Sequence, residues 1–376
     1  MKITFLTSAH YPFDERIFYH QAKSLVANGD KVEIVSSTDK IEKEIDAIKL
    51  NCFDGVDLPK NEKIDRLAEK LNDFKPDTVI CAEPLAIVAA RQYRKKNSGK
   101  SIKIIYDVTE WYPSKKNLED YRFVAKWFQF IKLLFFNLLT CFFIDGFLFG
   151  EKYKSRPYRY LFPLKPHAFI GYYPNLKYIP YKEPAVKENF LRLSYSGKIS
   201  LEKGFGNFIQ VLKKLSELYW DLKIEVKIIG WFDKKDESHC RDLIKWLPKN
   251  ISIKNYGKQD YLDFLELISD TDIFLDLRSN GFENQRCLPI KLFDYAALGR
   301  PVIFSKIKAI RKELKPDEIA LFVDPVDSEL IAKLIYFCVY KPELYSILCK
   351  HSHQLAQTKY NWDKIEPRFI RFVHNL

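Results

Sequence analysis

No two of the seven cysteines stand at a metal-ligand or redox spacing. Cys52, Cys81, Cys141, Cys240, Cys287, Cys338 and Cys349 are odd in number, far apart, and several lie inside apolar runs. That excludes a disulfide framework and a zinc module, and it fits buried thiols in a reducing compartment. Long basic runs are also missing: "KK" and "RKK" are the densest. With nothing resembling a zinc finger or an aromatic RNA-binding motif, no nucleic-acid partner is expected. Repeats of solenoid length are absent. The opening "MKITFLTSAHYP" passes from strand residues straight into a turn, unlike a signal peptide, so a cytoplasmic location is expected.

What is present is enough for two cores. The 376 residues are about twice the commonest domain size, with 47% hydrophobic and 29% charged side chains. An excess of 61 Lys and Arg over 49 Asp and Glu gives a net charge of +12, a field that favours anionic partners such as nucleotides or phospholipid headgroups.

The first hundred residues alternate strand and helix patterns. "KITFLTS" precedes a helix from about Arg16 to Asn28 stopped by Gly29, then come "KVEIVSS", "DTVICAE", a helix around Leu85 to Lys96, and "KIIYDVT". This rhythm predicts βαβ units and a parallel sheet, with a crevice at the carboxyl ends of the strands. "FIDGFLFG" reads as a further strand. "FPLKPHAFIGYYPNLKYIPYKEP" carries five prolines and reads as a linker, with a domain boundary near Pro174 to Pro184. The rhythm then restarts through "LRLSYSGK", "KIEVKIIG", "ISIKNYG", "DIFLDL" and "PVIFS", predicting a second parallel α/β domain.

Phe123 to Phe143 has another texture. Lys126, Gln129, Lys132, Asn137 and Thr140 share one helical face, and the rest is apolar and rich in aromatics. Two lysines inside the run and Asp145 just after it argue against a transmembrane span. Two arrangements satisfy the pattern. In one the helix lies in a membrane interface, with Trp127 and Phe128 toward the acyl chains and Lys126 and Lys132 near anionic headgroups. In the other it is a core helix.

Two stretches carry candidate chemistry. In "YSGKISLEKGFGNF", Ser196 and Gly197 end a strand, Lys198 follows at its edge, and Lys203 and Gly204 precede a helix, an arrangement suited to a diphosphate. In "LPIKLFDYAALGRP", Pro289 suits a first helical turn and Gly299 a C-cap, and Asp294 sits about a turn and a half into a helix whose Leu292, Phe293 and Ala297 face a core. A carboxylate there needs partners, which the hydroxyls of a ribose would supply.

With these blocks in order, the chain resembles retaining glycosyltransferases of family 4 (group 1) over nearly its whole length. The similar blocks are "FDERIFYHQAKSLVANGDKVEIVSS", "YSGKISLEKGFGNFIQVL", "LPIKLFDYAALGRPVI" and "NWDKIEPRFIRFV". The resemblance implies an α/β GT-B fold of two Rossmann-like domains facing across a cleft, with a closing helix that returns to the first. It places an acceptor domain at 1–178, a nucleotide-sugar domain at 179–355 and the returning helix at 356–376. Gly197, Lys198 and Lys203 are implied to hold the donor diphosphate, Lys198 standing where the family more often has Arg. Asp294 falls on the second Glu of the family's paired-Glu motif, the ribose ligand, with Pro289 and Lys291 beside it.

The sequence departs from the family at three places. The first Glu of the pair falls on Arg286, leaving Glu283 or Asn284 as replacements. Thr109 in "YDVTEWYP" stands where many relatives have His, and Thr carries no proton at neutral pH, so Asp107 and Glu110 become the candidates to face the acceptor. "HYPFDE" replaces the usual glycine-rich loop, putting His10 at the end of the first strand, with Asp14 and Arg16 as helix-capping residues.

The implied reaction moves a hexose or related sugar from a UDP-sugar or GDP-sugar to a glycan or lipid-linked saccharide with retention, in bacterial capsule, O-antigen or exopolysaccharide synthesis. The site would lie on the inner face of the membrane. No cofactor or metal is expected, and "DTD" at Asp270 to Asp272 leads into a strand as a turn. A sugar-nucleotide epimerase of the same architecture and a non-catalytic nucleotide-sugar or membrane-binding module are the alternatives.

Overall fold

The computed structural model describes residues 1–110, 112–118, 121–314 and 319–376, without the side chains of 115, 116 and 311–313. The chain divides into two compact units, Met1–Tyr172 with Ile365–Leu376, and Tyr173–Lys364.

The first unit runs β1 (Lys2–Thr7), a π-helical turn (Glu15–Ala22) continuing as α1 (Lys23–Ala27), β2 (Lys31–Ser36), β3 (Glu42–Ile45), β4 (Ile48–Asn51), α2 (Lys60–Phe74), β5 (Thr78–Cys81), α3 (Pro84–Lys96), β6 (Lys103–Val108), α4 (Phe123–Cys141), β7 (Gly146–Phe149), α5 (Lys152–Leu161) and β8 (His167–Phe169). Its sheet has the order β3-β4-β2-β1-β5-β6-β7-β8, parallel except for the β3–β4 hairpin. Val79, Ile104, Ile105 and Leu148 are fully buried in neighbouring strands, as expected of parallel strands covered on both faces.

The second unit contains β9 (Phe190–Ile199), α6 (Phe205–Leu218), β10 (Lys223–Phe232), α7 (Glu237–Lys245), β11 (Ile251–Gly257), α8 (Tyr261–Ile268), β12 (Phe274–Asp276), α9 (Lys291–Ala297), β13 (Val302–Ser305), α10 (Lys308–Glu313), β14 (Leu321–Val323), α11 (Ser328–Tyr340) and α12 (Pro342–Thr358); α13 (Glu366–His374) closes the first unit. Two parallel ladders, β11-β10-β9 and β12-β13-β14, are joined where the Asp272 N–H donates to the Arg192 carbonyl (2.9 Å) and the Asp272 carboxylate accepts the Arg192 N–H (2.7 Å). Asp270 meanwhile pairs with Lys227 (2.6 Å), so both acids of "DTD" serve the sheet.

The unit borders differ from those expected. Tyr173 packs its ring on Phe293 and Tyr360 (4.9 and 5.4 Å), and Trp362 N–H donates to the Pro174 carbonyl (2.8 Å). Residues 173–178 and 356–364 therefore belong to the second unit. The proline-rich stretch is not all linker either, because β8 lies within it as an edge strand. Pro166 just before β8 uses only its carbonyl, which accepts from Phe147 N–H (2.9 Å), so its missing N–H costs nothing.

Helix α4 is not a core helix. Leu133, Asn137, Thr140 and Cys141 are its buried residues, while Phe123 (80%), Trp127 (61%), Phe128 (73%) and Phe135 (61%) are exposed. Part of the polar stripe points inward: Asn137 Nδ2 donates to the Tyr158 hydroxyl (2.8 Å) and Thr140 Oγ1 to the Asn137 carbonyl (2.7 Å). Lys126 is half-buried and Lys132 exposed.

Candidate functional site

The second unit gathers polar groups at the carboxyl end of β9. Gly197 adopts φ +103°, and a Cβ placed there would lie 2.5 Å from Lys291 Nζ, so this position needs a residue without a side chain. Lys291 opens α9. Three residues on, Asp294 is 1% exposed and neither carboxylate oxygen has a well-formed hydrogen bond. Burial pushes its pKa up to about 7, against the opposing pull of the Lys291 ammonium and the Tyr261 hydroxyl. Next to it, Tyr295 OH and Ser196 Oγ share a 2.6 Å hydrogen bond that ties α9 to β9, and Tyr295 stacks on Phe274.

A second cation joins from the loop before α6. Gly204, with φ +86°, lets this loop press against the exit of β12, where a Cβ would lie 2.1 Å from the Leu277 carbonyl oxygen. Lys203 then reaches Asn284 Oδ1 (2.9 Å); burial, and next the charge of Arg278, lower its pKa. Asn284 is fully buried, with its Nδ2 on the Glu202 and Ser279 carbonyls, and Arg278 is held by Asp276 through Nε (2.8 Å) and a second, shorter contact.

Gly197, Lys203, Asn284, Lys291 and Asp294 thus line one end of the sheet. Others on the expected site differ. Lys198 is inside β9, not beyond its edge, and its ammonium pairs with Asp233 (2.7 Å). Pro289 precedes α9 by two residues, its carbonyl accepting from Leu292 N–H (3.4 Å). Arg286 stacks on Phe282 (3.5 Å) and donates to the Phe282 carbonyl (3.0 Å), and Glu283 is half-buried at the start of the short 3-10 turn Asn284–Arg286.

In the first unit, the strand ends bring together His10, Asp14, Glu83 and Glu110. His10 Nδ1 lies 3.3 Å from Asp14 Oδ2. Burial opposes protonation of this imidazole, but the hydrogen bond and charge of Asp14, with the charges of Glu83 and Glu110, outweigh it and raise the pKa to about 9. Glu83 accepts from Thr7 Oγ1 (3.0 Å) and, closer, from the Ser8 N–H. Burial pushes the Glu83 carboxyl up, and His10 draws it back. Glu110 is exposed. Asp14 also caps the first helix, accepting from Arg16 N–H and Ile17 N–H (3.0 and 3.1 Å).

Asp107 is not available for catalysis. It is 2% exposed, its carboxylate clamped by Arg16 through Nε and Nη2 (2.8 and 2.9 Å) and by Gln21 Nε2 (2.8 Å). Arg16, expected as a capping residue, instead links β6 to the Ile170 carbonyl (2.9 Å). The Thr109 carbonyl accepts from Lys154 Nζ and Tyr172 OH (2.6 and 2.9 Å).

Glu83 and Arg278 were not singled out from sequence. Each lies two residues past a strand, Glu83 at the end of "DTVICAE" and Arg278 just after "DIFLDL", so the rule that sites gather at carboxyl strand ends was the signal for both.

Residues 181–361 match the family described as glycosyl transferases, group 1. The matched stretch lies within the second unit. Over the full chain the structure is similar to sucrose-phosphate synthase from Thermosynechococcus elongatus (TM-score 0.72, 14% identity, covering 100% of this chain and 98% of that one). It is also similar to HepE from Anabaena in complex with UDP-glucose (TM-score 0.73, 12% identity, 100% of each chain). WaaG, a glycosyltransferase involved in lipopolysaccharide biosynthesis, matches with TM-score 0.67 and 14% identity over 98% of this chain and 99% of that one. At such identities the likeness is one of fold, and that fold is GT-B. No curated protein matches the sequence of this chain.

Proposed function

We propose that this chain is a retaining glycosyltransferase of family 4 that transfers a hexose from a UDP-sugar or GDP-sugar to a saccharide or lipid-linked saccharide. The observation that carries the reading is Asp294, a carboxylate 1% exposed whose oxygens lack well-formed hydrogen bonds, three residues from an ammonium. A buried polar group left so costs roughly 1–3 kcal/mol, which a ligand with paired hydroxyls would recover. A ribose on Asp294 directs the attached diphosphate toward Gly197, Lys291 and Lys203. HepE, of the same fold, is described in complex with UDP-glucose, which supports a nucleotide-sugar donor.

In this reaction the bond between the sugar anomeric carbon and the diphosphate oxygen breaks, and the acceptor oxygen bonds to that carbon from the same face. The acceptor proton passes to the departing phosphate oxygen. Negative charge gathering on the diphosphate is the main electrostatic demand, and Lys203 and Lys291 answer it without a metal. We assign the acceptor to the first unit, where His10 is cationic at neutral pH and Glu110 is the exposed carboxylate.

We further propose that the enzyme works as a peripheral protein on the inner face of the cell membrane, in surface polysaccharide synthesis. The exposed face of α4 supports this, as does the fold likeness to WaaG, described as acting in lipopolysaccharide biosynthesis. Release of UDP or GDP from a panel of nucleotide sugars, with extracted glycolipid as acceptor, tests the activity. Turnover that Lys203→Ala abolishes is expected; acceptor-independent consumption of the donor would favour an epimerase.

A further inference from the structure

We propose that a pocket between β8 and α13 binds the phosphate headgroup of an anionic phospholipid. The pocket measures about 400 Å³ and is lined by Pro166, His167, Phe169, Arg368, Arg371 and Phe372, with the chain from Asn375 to Leu376 behind them. Arg368 and Arg371 are three residues apart, hence on one helical face, where like charges repel. Both are exposed, and neither side chain has a hydrogen-bond or ion-pair partner among the described residues. Among the described residues, no Asp or Glu side chain lines the pocket. Arg159 does not line the pocket, but its guanidinium lies 5.7 Å from the centre of the Phe169 ring. Planar guanidinium forks match phosphate oxygens in pairs, so a phosphate ester satisfies both the charge and the geometry.

The frame around these cations is fixed. Phe369 and Val373 of α13 are buried, and His374 Nε2 lies 2.8 Å from Asp30 Oδ2. At Gly146, where β7 starts, a Cβ would meet Leu376 Cδ1 at 2.8 Å and Phe372 Cζ at 2.9 Å, so the chain end seats directly on the sheet.

The surroundings select a lipid phosphate over a free one. Pro166 follows Lys165, whose Nζ donates to the Ile144 carbonyl (2.5 Å), just past the end of α4. Phe142 (65% exposed) packs on Phe162, and Leu161 (50%), Tyr160 (85%) and Leu164 (96%) are exposed nearby in sequence. Phe142 directly follows α4, and Tyr160, Leu161 and Leu164 shortly precede the pocket residue Pro166, so exposed apolar side chains flank the cations along the chain. An interfacial surface has this order, with acyl-facing side chains next to headgroup-facing ones. The inference rests on the proposed membrane association of α4 and adds to it a specific headgroup site.

The test is co-sedimentation of the full chain with vesicles of phosphatidylcholine alone and with 30% phosphatidylglycerol. It compares wild type, Arg368→Gln/Arg371→Gln, Lys95→Gln/Lys96→Gln as a charge-matched control, and Trp127→Ser/Phe128→Ser. The expected result is binding to the anionic vesicles that falls about 30-fold in the double arginine variant, and far less in the lysine control. Equal losses in the two charge variants would mean that net charge alone attracts the membrane and would overturn the pocket. So would unchanged binding of the arginine variant while Trp127→Ser/Phe128→Ser loses it, an outcome that leaves the α4 reading standing. If wild type binds neither vesicle, both readings fall together.

Discussion

Lys291 holds its ammonium directly above Gly197, where a Cβ would lie 2.5 Å from Nζ. Strand and helix thereby place a cation, a backbone without a side chain and, three residues further on, the buried Asp294 in one corner of the second unit. Gly197→Ala should strain a backbone at φ +103° by roughly 1–2 kcal/mol and displace Lys291. Calorimetric titration is expected to show nucleotide affinity at least tenfold weaker, with a lower melting point. Unchanged affinity would remove Gly197 from the donor site.

Asp294 should make stability pH-dependent in an unusual direction. Its folded pKa, about 7, lies above the ordinary carboxyl value of 3.8, so the folded state holds the proton more tightly. Stability is fully present below the unfolded value and is lost as pH rises toward 7. Asp294→Asn removes the titrating group. The variant should therefore gain melting temperature relative to wild type between pH 5 and 8, by roughly 1–3 kcal/mol in stability. A difference that does not change with pH would mean that the carboxylate is satisfied in the folded chain.

His10 titrates in the opposite sense. Its folded pKa of about 9 exceeds the ordinary 6.5, so its contribution is full below 6.5 and disappears as pH climbs through 9. Glu83→Gln removes one of the carboxylates that hold the proton, and the His10 midpoint, followed by NMR, should move down. A midpoint that stays in place would assign the whole shift to Asp14 and Glu110.

Asp107→Ala tests structure, not chemistry. It leaves Arg16, 6% exposed, without its carboxylate, which costs about 3–5 kcal/mol. Chemical denaturation should show that loss, while nucleotide affinity of the folded fraction stays at the wild-type level. A large loss of turnover in fully folded Asp107→Ala would restore Asp107 as a catalytic group.

The parallel strands were legible because short runs rich in β-branched, aromatic and other apolar residues identify them, and β1, β5, β6, β9 and β10 fall where those runs lie. The hairpin β3–β4 was not, since "EKEI" offers three charged side chains and no apolar face. Helix α2 was not anticipated either, because its few buried residues, Leu67, Ala68 and Leu71, lie beneath a mostly charged surface. In the sites, Asp294 stood out because a carboxylate among Leu292, Phe293 and Ala297 has no local reason to be there. The roles of Asp107 and Lys198 could not be read locally, because their partners Arg16 and Asp233 come from distant segments. Sequence placed Asp107 and Lys198 at strand ends and Asp294 on a helix, and only tertiary packing shows that the first two are ion-paired.

The most direct test of the account is a thermal-shift panel of UDP, GDP, ADP and CMP on wild type and Asp294→Ala. A nucleotide at about a hundred times its dissociation constant adds roughly 2.7 kcal/mol, about 5–10 °C for a unit of this size. The account predicts that UDP or GDP raises the wild-type melting point by that amount and that Asp294→Ala loses the shift. No shift with any nucleotide, or a full shift retained in Asp294→Ala, would contradict it.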